Sequence, residues 1–325
     1  MKGGRKAKKH FENRRDYGQT LESILNSLAY IHFEGAAPKH LVRELPGPCS
    51  RPRSAAPSRA RAVRRNPPSA IHPEPFAVWL LQQAGLDPAA YRAIAVQRRV
   101  AACFRLLRVD SGKAARELLE RQPHLVPRTL NVLLIGVTEF FRDRAVFEHL
   151  RRVSIPELLA GRGRLRVYSA GVSDGQELCS MAMLLAEAGA LAGSYLLGAD
   201  CRPEAIHRAR SGCYSAGAVS TLELDWRERW FEREGGMFVL RPEISRHLHW
   251  SVENVLTYRS INEWDVILFR NVAIYLEPAQ SVLIWETIVS RLSVGGLLVT
   301  GKAERPPGQL PMTRIAPCIF RKEAA

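Results

Sequence analysis

From Leu165 onward the chain alternates short apolar runs with longer segments of helical periodicity, and that alternation restricts the fold more than any other feature of its 325 residues. Runs of this length fit strands buried on both faces. They fall at Leu165 to Ser169, Tyr195 to Gly198, Leu248 to Val252, Asp265 to Phe269 and Leu297 to Thr300, with a last one near Cys318 to Arg321. Helices are predicted over Glu177 to Ala188, Pro203 to Ser211 and Pro278 to Leu292, the last ended by Gly295-Gly296. Strands alternating with helices predict a mostly parallel sheet with helices on both faces, an α/β domain over 151–325.

The stretch before it is different. Phe76, Trp79, Leu80 and Ala84, then Tyr91 to Leu107, Ala114 to Leu119 and Val126 to Leu134, repeat at helical spacing and predict a small all-helical domain over 75–150. The second segment carries a basic face of Arg92, Arg98, Arg99, Arg105 and Arg108, which reads as solvated surface or as a docking face for a partner.

The net charge of +15 invites a nucleic-acid reading until it is located along the chain. Residues 1–70 hold fifteen Lys and Arg against five Asp and Glu, so +10 of it lies there. Residues 35–75 are crowded with Pro, Ala, Arg and Ser, and 1–74 is expected to be a disordered basic extension. It lacks the interleaved aromatics of a nucleic-acid platform, so nucleic acid is not an expected partner.

Six scattered cysteines with no paired spacing predict free thiols. No apolar run approaches the roughly 20 residues of a membrane span, which predicts a cytoplasmic protein without membrane insertion. His247 and His249 alternate on a predicted strand, but two histidines without a third ligand do not make a metal site.

The first predicted strand of the sheet runs into Ser169-Ala-Gly-Val-Ser-Asp-Gly-Gln-Glu177, a small-residue turn opening a helix. A doubly wound sheet places its ligand crevice there. The second strand ends in Gly198-Ala-Asp200, where an acid can accept both hydroxyls of a nucleoside ribose. Without G-x-G-x-x-G, an adenosine cofactor other than a nicotinamide dinucleotide is favoured.

Five segments in order then resemble the CheR chemotaxis methyltransferases. They are Val137-Thr-Glu-Phe-Phe-Arg-Asp143; Tyr168 to Glu177; Gly198-Ala-Asp200 with Ala209-Arg-Ser-Gly-Cys-Tyr214; Phe269-Arg-Asn-Val-Ala-Ile-Tyr275; and Gly295-Gly-Leu-Leu-Val-Thr-Gly-Lys-Ala-Glu304. The resemblance spans about 76–322. It implies a Rossmann-like methyltransferase domain preceded by a helical domain, with S-adenosyl-L-methionine between them.

It also implies roles. Thr138 and Arg142 reach the cofactor from the junction, and Glu177 and Asp200 hold its amino-acid and ribose parts. Asn254 and Val255 border the adenine, and Asn271 and Val272 close the pocket. Arg142 and Tyr275 are the catalytic candidates, with a structural ion pair and a packed aromatic as their alternatives. The implied activity is methyl transfer to glutamate carboxylates of chemoreceptor cytoplasmic helices. A carboxylate with a pKa of about 4.3 is already ionised at neutral pH, so positioning rather than a general base is required.

The chain departs from the family pattern at Gly136, usually polar, at Gly175-Gln-Glu-Leu-Cys179, usually Gly-Glu-Glu-Pro-Tyr, and at Gly301-Lys-Ala-Glu304, usually Gly-His-Ser-Glu. Those departures motivate a second reading, a non-catalytic cofactor-binding or docking module. The loop Glu234-Gly-Gly-Met237 is shorter than in relatives that bind a receptor-tail peptide, which implies that no such peptide docks.

Overall fold

The computed structural model of the protein describes residues 74–134, 136, 138–257 and 263–324. The expected basic extension, with Cys49 in it, lies outside the described residues apart from Glu74.

Glu74 caps the first helix among the described residues, its carboxylate accepting from Ala77 N at 3.2 Å. Four helices follow: α1 (Pro75–Gln83), α2 (Ala93–Leu107), α3 (Gly112–Arg121) and α4 (Val126–Leu133). Their apolar faces meet around Phe76, Leu80, Val100, Cys103, Leu119 and Leu130. The predicted start of α2 at Tyr91 is two residues early. Tyr91 is extended and bridges Leu276 instead, because Arg92 takes extended backbone and donates from N to Tyr275 O and from Nε to Leu276 O. Arg99 is likewise spent internally, on Val132 O. Two of the five arginines of the expected face therefore hold the fold.

Two further helices, α5 (Arg144–His149) and α6 (Ile155–Arg162), lead into β1 (Arg166–Ala170), α7 (Gln176–Glu187), β2 (Tyr195–Asp200) and α8 (Pro203–Ser211). Then come β3 (Cys213–Tyr214), α9 (Leu224–Trp230), β4 (Phe231–Glu234), β5 (Met237–Leu240), α10 (Pro242–Ser245) and β6 (Leu248–Val252). The chain ends with β7 (Trp264–Phe269), α11 (Pro278–Ser290), β8 (Leu292–Thr300), β9 (Met312–Ala316) and β10 (Ile319–Lys322).

Among the described residues a seven-stranded sheet has the order β6-β2-β1-β7-β8-β10-β9. The first five strands are parallel, and β10 runs antiparallel to both its neighbours. Strand β7, Trp-Asp-Val-Ile-Leu-Phe, is buried along its whole length, as a central parallel strand covered on both faces must be. Its Trp264 stacks on Tyr168 of β1 at 5.2 Å.

One sequence expectation at this end of the chain needed correction, and one strand had not been expected. The helix over Pro278 to Leu292 stops at Ser290, because Leu292 already enters the sheet; Gly295, at φ 73°, marks an irregularity inside β8 rather than a helix stop. Strand β9 had no apolar run to announce it, since Thr313 and Arg314 point to solvent from an edge. The expected excursion over Phe231 to Leu240 is the hairpin β4–β5, which with β3 makes a separate three-stranded antiparallel sheet.

The five described cysteines are free thiols. No helix among the described residues is long and apolar enough to cross a membrane. His249 stacks on Tyr195 at 4.7 Å, and no described group of His, Cys, Asp and Glu forms a metal cluster.

Candidate functional site

The strand order reverses direction at β1, whose neighbours β2 and β7 lead to opposite halves of the sheet. The loops leaving the C-terminal ends of β1, β2, β7 and β8 surround that point, where an open α/β sheet forms its crevice.

After β1 the chain turns through Gly171 (φ 73°), Ser173 (φ 52°) and Gly175 (φ 89°) before α7 begins. The N–H groups of Gly171 and Val172 donate to Ala199 O at 2.8 and 3.0 Å, pinning the turn to the end of β2. The glycines have separate reasons. A Cβ on Gly171 would lie 2.5 Å from Val272 Cγ2, and one on Gly175 would lie 2.7 Å from Trp250 Cη2. Gly175 therefore serves packing against β6, as does Gly198, whose added Cβ would meet the same indole at 2.7 Å.

Glu177, in the first turn of α7, accepts from Ser169 Oγ at 2.8 Å and from Arg270 Nη1 at 2.9 Å. Arg270 is buried and joins three segments. It also donates to Asp143 Oδ2 at 2.7 Å and Arg142 O at 2.9 Å, and its guanidinium lies 5.4 Å from the centre of the Phe147 ring. Asp143 is paired on its other oxygen by Lys302 at 2.7 Å. Burial raises the Asp143 carboxyl, but the Lys302 hydrogen bond and the charges of Arg270, Lys302 and Arg142 outweigh it and hold the carboxyl below the usual range. Phe141 and Asp143 both adopt positive φ, a conformation that non-glycine residues hold only when surrounding contacts impose it.

The loop after β7 is shaped by Glu304, a buried acid. Its Oε2 accepts from Asn271 N at 2.5 Å and Gly301 N at 3.0 Å, and its Oε1 from Val272 N at 2.9 Å and Ile274 N at 3.3 Å. Asn271, at φ 60°, and Val272 are placed by these bonds. Val272 packs with Val255 against the cluster holding Tyr168, Ala170 and Ala199. Asn254 Oδ1 accepts from Leu256 N at 3.0 Å, turning the chain out of β6. Tyr275 closes a single 3-10 turn and accepts from Arg92 N at 2.9 Å, tying this loop to the helical region.

At the end of β2, the Asp200 carboxylate receives four hydrogen bonds. Ser173 N and Arg202 Nη2 donate to Oδ2, each at 2.9 Å; Arg202 N, at 3.0 Å, and Nε, at 2.9 Å, donate to Oδ1. Burial raises this carboxyl, but the hydrogen bonds and charge of Arg202 hold it below the usual range.

The structure thus brings Glu177 and the backbone carbonyl of Arg142 together through Arg270, and Asn271 and Val272 together through Glu304. Thr138, half-buried, lies in the irregular segment between α4 and α5, four residues before Arg142. Sequence reasoning passed over Arg202, Arg270 and Glu304. Arg270 and Glu304 stood inside quoted segments; for Arg202 the one signal was a cation two residues from a ribose-type acid.

Residues 136–317 match the family described as "CheR methyltransferase, SAM binding domain". The chain belongs to the CheR methyltransferase family. The chemotaxis protein methyltransferase of Klebsiella aerogenes is 30% identical over 259 residues, 75% of this chain and 87% of that protein. That of Salmonella typhimurium is 30% identical over 239 residues, 69% and 80% of the two chains. That of Listeria monocytogenes is 27% identical over 222 residues, 68% and 85%.

The cofactor of this CheR chain is S-adenosyl-L-methionine. A carboxylate offers about four acceptor positions, and Glu177 has filled two, so it keeps capacity for an ammonium. Val255 and Val272 supply apolar edges. The Glu177 end and the apolar end therefore fit the cofactor, whereas at Asp200 the acceptor positions are already taken.

Proposed function

We propose that this chain is a protein-glutamate O-methyltransferase acting on cytoplasmic helices of chemoreceptors, in the cytoplasm. Methylation in chemotaxis follows from the family; the glutamate acceptor and the receptor are the further step. The observation that supports it is the convergence of Glu177, Arg270 and the backbone carbonyl of Arg142 beside β1 and β7, in a chain that matches 80–87% of two chemotaxis methyltransferases.

When bound, S-adenosyl-L-methionine supplies a methyl group carried on a sulfonium. Glu177 would hold its amino-acid end and Asp200, once its acceptor positions are freed, its ribose; Asn254 and Val255 would border its adenine, and Thr138, Asn271 and Val272 would close around it. The protein need not remove a proton, because the acceptor carboxylate is already anionic. What remains is orientation and exclusion of water, which strengthen attraction between opposite charges at the reacting atoms. Arg142 grips a carboxylate with a planar fork, and Tyr275 offers a hydroxyl to the acceptor. The hairpin β4–β5, with its tight Gly235-Gly236 turn, is not expected to hold a receptor-tail peptide, and nucleic acid is not proposed as a partner.

The second reading, a non-catalytic cofactor-sensing or docking module, has one observation in its favour, the full hydrogen-bond complement of Asp200. The experiment that separates them gives the purified chain methyl-tritiated cofactor and receptor-containing membranes. Base-labile label on receptor is expected, lost in Glu177→Ala. Cofactor binding without transfer to any protein fraction would favour the module.

A further inference from the structure

Gly136 and Arg202 compete for one volume. A Cβ on Gly136 would come within 2.5 Å of Arg202 Nη2 and 2.8 Å of Nη1, and would overlap Ser173 Oγ. The carbonyl of Gly136 meanwhile accepts from Ser173 Oγ at 3.1 Å, so the backbone there is drawn onto the turn after β1. Here the arginine fills the space, which accounts for the glycine.

Arg202 is committed in two directions. The Nε and Nη2 edge of its guanidinium, with its own backbone N–H, meets Asp200, and Nη1 donates to Leu134 O at 2.8 Å, just past the end of α4. Arg202 is 6% exposed and Asp200 4%, so this is a buried, bidentate ion pair. With Ser173 N it fills all four acceptor positions of the carboxylate. A neutral diol cannot bond to Asp200 while they are filled, and a charged bidentate partner is the stronger competitor. The same arginine fastens the helical region to the catalytic sheet at the mouth of the crevice, beside the bond from Asn131 Nδ2 to Glu204 Oε2 at 2.8 Å.

We propose that Arg202 is an internal competitor for the nucleoside hydroxyls: it occupies Asp200, clamps the junction shut, and must swing out before the ribose can be held. The proposal rests on the cofactor reading of the site given above. Affinity for the cofactor is then reduced by the fraction of molecules whose arginine is in place. The clamp also makes cofactor entry and the coupling of the two regions one event, since releasing Asp200 releases Leu134 as well.

The test is calorimetric titration of the full chain with S-adenosylhomocysteine, beside Arg202→Ser and Arg202→Lys. Arg202→Ser is expected to bind about tenfold more tightly than the natural chain, as for a closed state holding about nine-tenths of the molecules. Should Arg202→Ser not fold, Arg202→Lys carries the test, because a lysine cannot form the two-pronged contact and tighter binding is expected there too. A readout independent of ligand is thermal unfolding of Gly136→Ser, expected to lower the melting temperature in the natural chain and less in the Arg202→Ser background, where only the overlap with Ser173 Oγ remains. Unchanged or weaker affinity in the variant that folds would overturn the competitor while leaving the cofactor site standing. Absence of binding in every variant would overturn both.

Discussion

The carboxylate of Glu304 accepts the backbone N–H of Asn271 at 2.5 Å, across the gap between the ends of β7 and β8. Asn271 sits at φ 60°, and with Val272 N, Ile274 N and Gly301 N also directed at Glu304, one acid organises the loop that carries two proposed cofactor contacts. Glu304→Gln places an amide among four donors and removes the charge. It is expected to cost about 2–3 kcal/mol of stability. It should also weaken S-adenosylhomocysteine binding, as read by urea unfolding and calorimetry; a variant with unchanged affinity would show that the loop keeps its shape without the acid.

Arg270 is the cation shared by Asp143 and Glu177. Arg270→Met leaves Glu177 without its counter-charge and Asp143 with Lys302 alone, and the loss is expected at about 3–5 kcal/mol. Arg270→Lys is expected to recover little, because a point charge cannot reach both acids and the carbonyl of Arg142. Denaturant midpoints of the two variants decide this; near-native stability of the lysine variant would contradict it.

Asp143 and Asp200 both have folded-state pKa values below their ordinary range. Stability from a depressed carboxyl is complete above the unfolded value, about 3.9, and is lost as pH falls through the folded value. The protein should therefore be insensitive to pH on account of these groups near neutrality and lose stability below about pH 4. Asp200→Asn should be less stable than the natural chain at pH 7, with the difference narrowing as the solution is acidified. A gap that stays constant to pH 3 would argue against the ion pair.

The indole of Trp250 lies over Gly198 and Gly175. Gly198→Ala brings a methyl within 2.7 Å of the ring and is expected to destabilise by roughly 1–3 kcal/mol. Trp250→Leu should be less damaging in that background than in the natural chain, a coupling that a double-mutant cycle measures.

Burial pushes the thiols of Cys103, Cys179 and Cys201 up to about 12. The thiolate is the reactive species, so these three should resist iodoacetamide in the native protein at pH 8 and react once it is unfolded. Mass mapping of the alkylated peptides reads this directly.

The sequence by itself determined the architecture and its ligand end. Apolar runs such as Val266 to Phe269 can be satisfied only between two helical layers, and Pro203 and Gly212 bound their helix through local backbone preference. Those are short-range signals, and α8 and β6 appear with the predicted limits. Edge strand β9 and the irregularity at Gly295 were hidden, because they arise from how β8 and β10 pair rather than from periodicity.

The site divides in the same way. The end of the second strand pointed to Asp200, and the resemblance to the CheR methyltransferases implied Glu177 and the Asn271–Val272 loop. What engages them was decided only in three dimensions: Arg270 lies 93 residues from Glu177 and Glu304 lies 33 from Asn271. The pairing of Arg202 with Asp200 is close in sequence, yet its consequence depends on Gly136, brought across from the helical region. A charge two residues from an acid says nothing of burial, and burial is what turns a surface contact into a clamp.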